Sequence, residues 1–281
     1  IEGTIMSDHE ALGLIAGSGA LPSEALAHLR QAGHDVRVFG FDGLCGPDIV
    51  PAESCTRLGQ LSALASLLRS QGIVSLLIVG GFDPTLADSP GATFDPDDEA
   101  LAMLSEIDPR DAGGLMSVVA KWLSKEGFEL ARQDECLSMM LAGVGSITGS
   151  APTSREEESV VRALATLRSG SEAPFGQAFV LADGKVVAVE DRAGTDAMIR
   201  GCEGRVGTES VVVKASRAEQ DLRLDLPAIG PGTIAAMREV GATVLAVEAD
   251  STLVIDRQEL KNLAESAGIR VWGFAPAGDV R

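Results

Sequence analysis

The feature that most constrains this 281-residue chain is a succession of short, almost wholly apolar runs, each followed by a glycine-bounded loop and a helical pattern. Residues 12–16 end in Gly17-Ser18-Gly19. A helical spacing over 23–32 closes at Gly33 and strand-like residues 36–41 follow, giving β-loop-α-β. Residues 58–69 are apolar at helical spacing, and Gly72 leads into the apolar run 73–79. Strands apolar on both faces belong to parallel sheets covered by helices on both sides, so the expected fold class is α/β. From 82 to 109 the chain carries Pro84, Pro90, Pro96 and Pro109 among many aspartates and reads as loop with one short helix over 99–106. A helix over 115–125 stops at Gly127.

With 45% apolar residues the chain can bury a large core, and its length exceeds what a single core usually holds, so two domains are expected. The Gly, Ser, Thr and Pro-rich passage near 143–152 has no apolar periodicity. It marks a linker at 146–152 between an N-terminal domain, 1–145, and a C-terminal domain, 153–281. Residues 1–5 precede Met6 and are expected to be a remnant outside the fold. Beyond the linker, Thr153 or Ser154 can cap a helix whose first turn holds Glu156, Glu157 and Glu158. Strands over 177–181 and 185–190 flank Ala182-Asp183-Gly184, a hairpin signal. A short helix over 196–201 is followed by strands at 211–214, 243–248, 253–255 and 269–274, with helices at 232–240 and 256–267. The C-terminal domain is therefore expected to be mixed α/β.

The balance of 41 acidic against 23 basic residues, a formal charge of −18, repels nucleic acid and anionic bilayers at long range. A phosphate-bearing ligand must then meet local donors or a metal. Cys45, Cys55, Cys136 and Cys202 show neither zinc-ligand spacing nor a disulfide framework, which fits a reducing cytoplasm. No membrane span or signal peptide is read from the sequence. His9, His28 and His34 form no group and are expected at the surface.

Three stretches can carry chemistry. Gly17, Ser18 and Gly19, between a strand and a helix, can offer N–H groups to a phosphate or ribose, or can serve only as a tight turn. Pro22 stands where a dinucleotide fingerprint wants its third glycine. In Gln220-Asp221-Leu222-Arg223-Leu224-Asp225-Leu226-Pro227, strand-like alternation would put Asp221, Arg223 and Asp225 on one face. Carboxylates so placed suit Mg²⁺; the alternative is an exposed face with a surface ion pair. Gly194-Thr195-Asp196 precedes a helix, where it can cap that helix or face a phosphate.

The motifs Gly13-Leu14-Ile15-Ala16-Gly17-Ser18-Gly19-Ala20-Leu21-Pro22, Glu126-Gly127-Phe128-Glu129, Gly176-Gln177-Ala178, Ala188-Val189-Glu190, Gly194-Thr195-Asp196-Ala197-Met198 and Asp225-Leu226-Pro227-Ala228-Ile229-Gly230-Pro231 together resemble the LpxI family. The family resemblance implies a Rossmann-like N-terminal domain and a UDP-2,3-diacylglucosamine pyrophosphatase of lipid A biosynthesis. It further implies a divalent metal such as Mg²⁺, a glycolipid UDP-sugar held between two domains, and 2,3-diacylglucosamine 1-phosphate and UMP as products. Asp225 matches the aspartate on which the family's activity depends. Gly194, Thr195 and Asp196 match a motif beside the ligand; Gln220 and Arg223 are expected substrate contacts, and Asp221 a second metal ligand. An apolar cavity for the acyl chains, between the two halves, is expected as well. Homodimerisation, a cytoplasmic location and peripheral contact with the inner membrane through the lipid belong to the same expectation. Asp111-Ala112-Gly113-Gly114-Leu115-Met116 and Gly80-Gly81-Phe82-Asp83-Pro84 depart from the family pattern, which implies either a divergent enzyme with altered head-group contacts or a relative that kept the fold and lost or changed the substrate. The alternatives are a UDP-sugar-binding or nucleotide-binding module without hydrolysis and a dinucleotide-dependent oxidoreductase.

Overall fold

The computed structural model describes residues 11–46, 48–82, 94–107, 114–168, 176–191, 193–207, 210–217, 221 and 223–275. The expected contact Gln220, His9, residues 1–5 and the departures at 83–84 and 111–113 lie outside them. The chain forms two compact units. One comprises Ile1–Leu137 together with Asp221–Asp225; the other comprises Ser138–Gln220 and Leu226–Arg281.

In the first unit, β1 (Leu12–Ala16), α1 (Leu21–Gln31), β2 (Val36–Phe41), β3 (Cys55–Thr56), α2 (Leu61–Ser70), β4 (Ser75–Val79), α3 (Asp98–Ser105), α4 (Gly114–Lys125), β5 (Glu129–Leu130) and α5 (Gln133–Cys136) follow in order. All strands pair in parallel in the order β3-β2-β1-β4-β5. This is the Rossmann-like half-sheet, with its topological switch between β1 and β4. Ile15, Phe39, Phe41, Leu76 and Ile78 form one core with Leu64 and Leu68 of α2, Ala100 of α3 and Trp122 and Leu123 of α4. Helix α1 buries Ala25, Leu26 and Leu29 against β2 and β4. Leu224, from the distant 221–225 segment, is 5% exposed and joins the α2–α4 core.

The second unit contains β6 (Gly145–Thr148), α6 (Ser154–Arg168), β7 (Ala178–Ala182), β8 (Lys185–Val189), α7 (Thr195–Arg200), β9 (Val211–Lys214), β10 (Ala228–Ile229), α8 (Pro231–Val240), β11 (Val244–Glu248), β12 (Leu253–Val254), α9 (Arg257–Ala267) and β13 (Arg270–Phe274). Its main sheet has the order β6-β13-β11-β9-β7-β8. Strands β9, β11 and β13 are parallel, while β6 and β7 run antiparallel to their neighbours. Side-chain alternation divides the core. Val212, Leu245, Val247 and Val271 pack with residues of α7, α8 and α9, whereas Val211, Val213, Val244, Ala246 and Trp272 pack with Val160 and Leu164 of α6. Thr153 caps α6 reciprocally with Glu156, whose carboxylate also accepts from Arg270 at 2.5 Å.

Two expectations need correction. Residues 146–148 of the expected linker lie in β6, and the unit boundary falls at Leu137/Ser138. Strand β6 shows no apolar alternation because it is an edge strand; Thr148 Oγ1 donates to the Ile269 carbonyl and accepts the Val271 N–H. The strand expected over 221–225 is a turn. The N–H groups of Leu224 and Asp225 both donate to the Asp221 carbonyl, at 3.0 and 3.2 Å. Asp221 Oδ1 accepts the Arg223 N–H at 3.0 Å, the local side-chain-to-backbone bond by which aspartate competes with a β-ladder.

Leu224→Ala is expected to destabilise the first unit by about 2–5 kcal/mol, the usual cost of truncating a buried leucine, as read by urea denaturation. A cost near zero would show that the turn is not anchored by this side chain.

Candidate functional site

Parallel strands with apolar faces leave polar groups to their ends, and ligands of open α/β sheets gather at the carboxyl ends. In the second unit, β9 ends at Lys214 opposite Ala178, where the antiparallel β7 begins. Because β8 runs parallel to β9 through that hairpin, its last residue leads into Glu190 at the same edge.

Glu190 ties this edge together. Its Oε1 accepts from the Thr195 hydroxyl at 2.5 Å and lies 3.4 Å from Lys214 Nζ, while Oε2 accepts the Gln177 N–H at 2.5 Å. Lys214 Nζ also donates to Thr195 Oγ1 at 2.5 Å. The Lys214 and Glu190 side chains are only 5% and 11% exposed. Gly176 is required beside them, since a Cβ there would stand 2.8 Å from the Glu190 side chain. Three of the motifs singled out in the sequence, those at 176–178, 188–190 and 194–196, thus meet on one carboxylate. Asp196 links this group to the start of α8. Its Oδ1 accepts from Thr233 Oγ1 at 3.3 Å, and a Cβ on Gly232 would lie 3.0 Å from its Oδ2. Sequence reasoning assigned Thr195 and Asp196 but gave Lys214 no role, because it reads as the last residue of a valine-rich strand. A lysine inside an apolar strand pattern was the available signal.

On the α6 face of the sheet, Glu248 is 3% exposed and receives Arg168 Nη2 at 2.9 Å on each oxygen. The same carboxylate accepts the Ser216 N–H and hydroxyl, at 2.8 and 2.6 Å.

The first unit holds the other expected site residues. The N–H groups of Gly17 and Ser18 are taken by backbone carbonyls, as in the tight-turn alternative. Gly17 N–H donates to the Val79 carbonyl at 2.8 Å, and Ser18 and Gly81 exchange backbone hydrogen bonds of 2.9 Å. Those bonds sit at the β1/β4 switch point, the place a dinucleotide pyrophosphate would need. Gly19 lies between them and α1.

In the 221–225 turn, both Asp221 oxygens face Arg223. Nε donates to Oδ1 at 2.9 Å and Nη2 to Oδ2 at 2.6 Å, realising the ion-pair alternative. Arg223 thereby holds the Asp221 carboxyl below its usual range. Asp225 is half-buried, one turn further on. Among the described residues no group of three or more His, Cys, Asp or Glu side chains is placed to hold a metal ion. Mg²⁺ is commonly bound by one or two carboxylates plus substrate phosphates; with both Asp221 oxygens on Arg223, Asp225 is the carboxylate of this turn that fits an ion whose coordination the substrate completes.

Within the first unit, the sheet and helices α2–α4 enclose an apolar cavity of about 280 Å³. Ile15, Phe41 and Ile78 line it from the strands, and Leu64, Met103 and Trp122 from the helices. An apolar cavity is expected from the sequence between the two halves; this one lies wholly inside the N-terminal unit.

A Rossmann-like parallel sheet in one unit and a mixed sheet in the other define a two-domain α/β protein. The LpxI N-terminal domain matches residues 11–140 and the LpxI C-terminal domain residues 143–272. A UDP-2,3-diacylglucosamine pyrophosphatase LpxI of Caulobacter vibrioides is 30% identical over 283 aligned residues, 94% of this chain and 98% of the relative. The chain belongs to the LpxI family.

Because the folded pKa of Asp221 is depressed, its bond to Arg223 contributes stability above the usual carboxylate range. That contribution fades as the pH falls through the folded value. In Arg223→Gln the Asp221 titration, followed by carboxyl ¹³C NMR, is expected to move up toward an ordinary aspartate. An unmoved titration would mean that the guanidinium is not what holds it down.

Proposed function

We propose that this chain hydrolyses the diphosphate of UDP-2,3-diacylglucosamine to 2,3-diacylglucosamine 1-phosphate and UMP. The observation that carries the reading is the cavity among α2–α4, apolar in every side chain named above, in a chain 30% identical to a relative named for that activity. A soluble UDP-sugar has no use for such a chamber, whereas each acyl methylene buried there contributes about 0.8 kcal/mol.

In this reading Asp225 is the catalytic carboxylate. A water oxygen bonds to the β-phosphorus, the bond from that phosphorus to the bridging oxygen breaks, and UMP leaves with the bridging oxygen. Asp225 orients the water and takes up its proton. Gly194, Thr195 and Asp196 contact the head group, and the Glu190 carboxylate with the Lys214 ammonium keeps the Thr195 hydroxyl in place. Arg223 neutralises Asp221, so the turn presents less negative charge to an incoming diphosphate. Mg²⁺ or a similar divalent ion, held by Asp225, would supply charge stabilisation on the diphosphate. The same reading places the protein in the cytoplasm as a homodimer that meets its lipid at the inner membrane. No helix among the described residues is long and apolar enough to cross a membrane.

The test is UMP release from UDP-2,3-diacylglucosamine with Mg²⁺, without it and in excess chelator. Release is expected only with the divalent ion, and shorter acyl chains should raise KM. Asp225→Ala should lower kcat by about 10² or more while keeping the fold and substrate binding. Tight binding of the UDP-sugar without UMP release by the wild-type chain would instead identify a binding module.

A further inference from the structure

Gln133 is a buried polar residue that the chemistry above does not use. It opens α5, is 3% exposed, and donates through Nε2 to the Ile78 carbonyl at 2.6 Å and to the Leu224 carbonyl at 3.0 Å. Ile78 belongs to β4, the strand paired with the central β1 at the switch point; Leu224 is the residue immediately before Asp225. The two amide hydrogens therefore tie the 221–225 turn to the rigid sheet of the first unit. Leu224 adds a second anchor by placing its side chain in the α2–α4 core. The turn's own bonds, from the Leu224 and Asp225 N–H groups to the Asp221 carbonyl, fix its shape but not its place. The Leu224 side chain and Gln133 both help to set its place.

A buried amide is costly unless its donors are used, and here both hydrogens are used, on carbonyls that an apolar side chain of similar volume would leave without this donor. What the amide adds is direction: two acceptors at fixed positions determine where the Leu224 carbonyl, and hence the next residue's Cα, must lie. We propose that Gln133 is the positioning residue of the reaction, holding the backbone before Asp225 so that its carboxylate stands at reacting distance. The inference rests on Asp225 being the catalytic carboxylate. Misplacement of a reacting group by an ångström can cost on the order of 10²-fold in rate, so a clamp one peptide away has ample leverage.

The test compares Gln133→Met and Gln133→Glu with the wild-type chain. Gln133→Met keeps the volume and loses both donors. It should lower kcat at least about tenfold with KM changed less than about threefold, and speed amide hydrogen exchange in the peptide spanning 221–226 while β1 and β4 stay protected. Gln133→Glu gives a signature that a purely structural role would not. Burial raises a glutamic acid pKa, and only its neutral form can donate, to one carbonyl. Its kcat relative to wild type should therefore recover as the pH falls from about 8 to about 5.5. Unchanged exchange at 221–226 in a folded Gln133→Met protein overturns the inference, as does a loss confined to KM or a Gln133→Glu ratio flat with pH. If the wild-type chain releases no UMP at any pH, the hydrolase reading fails and the catalytic consequence of the clamp fails with it. Exchange at 221–226 then still reports whether the clamp exists.

Discussion

A parallel sheet covered on both faces has no room for polarity along its strands, so every group that must meet a charged ligand is displaced to the strand ends. Much of what is distinctive in this protein follows from that displacement. In the second unit the carboxyl edge collects a lysine, two glutamates, a threonine and an arginine, and the loops that supply them are fastened to one another before any ligand arrives. Glu190 is the central fastening. Its carboxylate satisfies a backbone N–H at the start of β7, a hydroxyl at the start of α7 and the ammonium at the end of β9. Taking it away would remove this counter-charge from a buried ammonium and leave three loops without their common acceptor.

Such buried ionic groups are poor investments in stability. Desolvation cancels most of the attraction, and apolar residues of similar size usually do as well. Their presence at one edge of one sheet, in Lys214 with Glu190 and in Arg168 with Glu248, is better understood as organisation of a site. A protein with a formal charge of −18 has particular need of this, because its mean field repels a diphosphate and the attraction must be arranged locally.

The elements with strong local signals were legible in the sequence: the apolar run at β4, the Asp183-Gly184 hairpin between β7 and β8, and α9 ending at Gly268. These depend on periodicity and turn chemistry, which are properties of neighbours in the chain. What escaped depended on partners far away. Strand β6 is held by backbone pairing and the Thr148 hydroxyl, so it carries no apolar alternation. The 221–225 segment alternates like a strand, yet the Asp221 side chain captures its own backbone and Leu224 finds its core in a unit begun two hundred residues earlier. The Gly17-Ser18-Gly19 loop looked open because no sequence feature shows that Gly81 comes back to occupy it. For the site, Thr195 and Asp196 were visible through their glycine and helix-start context. Lys214 and Gln133 were hidden, one as the last residue of a strand and the other within a polar stretch, because their significance lies in what they touch.

The insertion of Asp221–Asp225 into the first unit means that neither unit is a single stretch of gene. An N-terminal fragment cut at the end of its family domain, near residue 140, would lack the leucine that completes its core. It would also leave a buried glutamine amide facing an absent carbonyl. A C-terminal fragment would carry that leucine as an exposed apolar residue on a short loop. Shuffling the halves among relatives would consequently separate a plug from its socket, so the natural unit of inheritance for this fold is the whole chain.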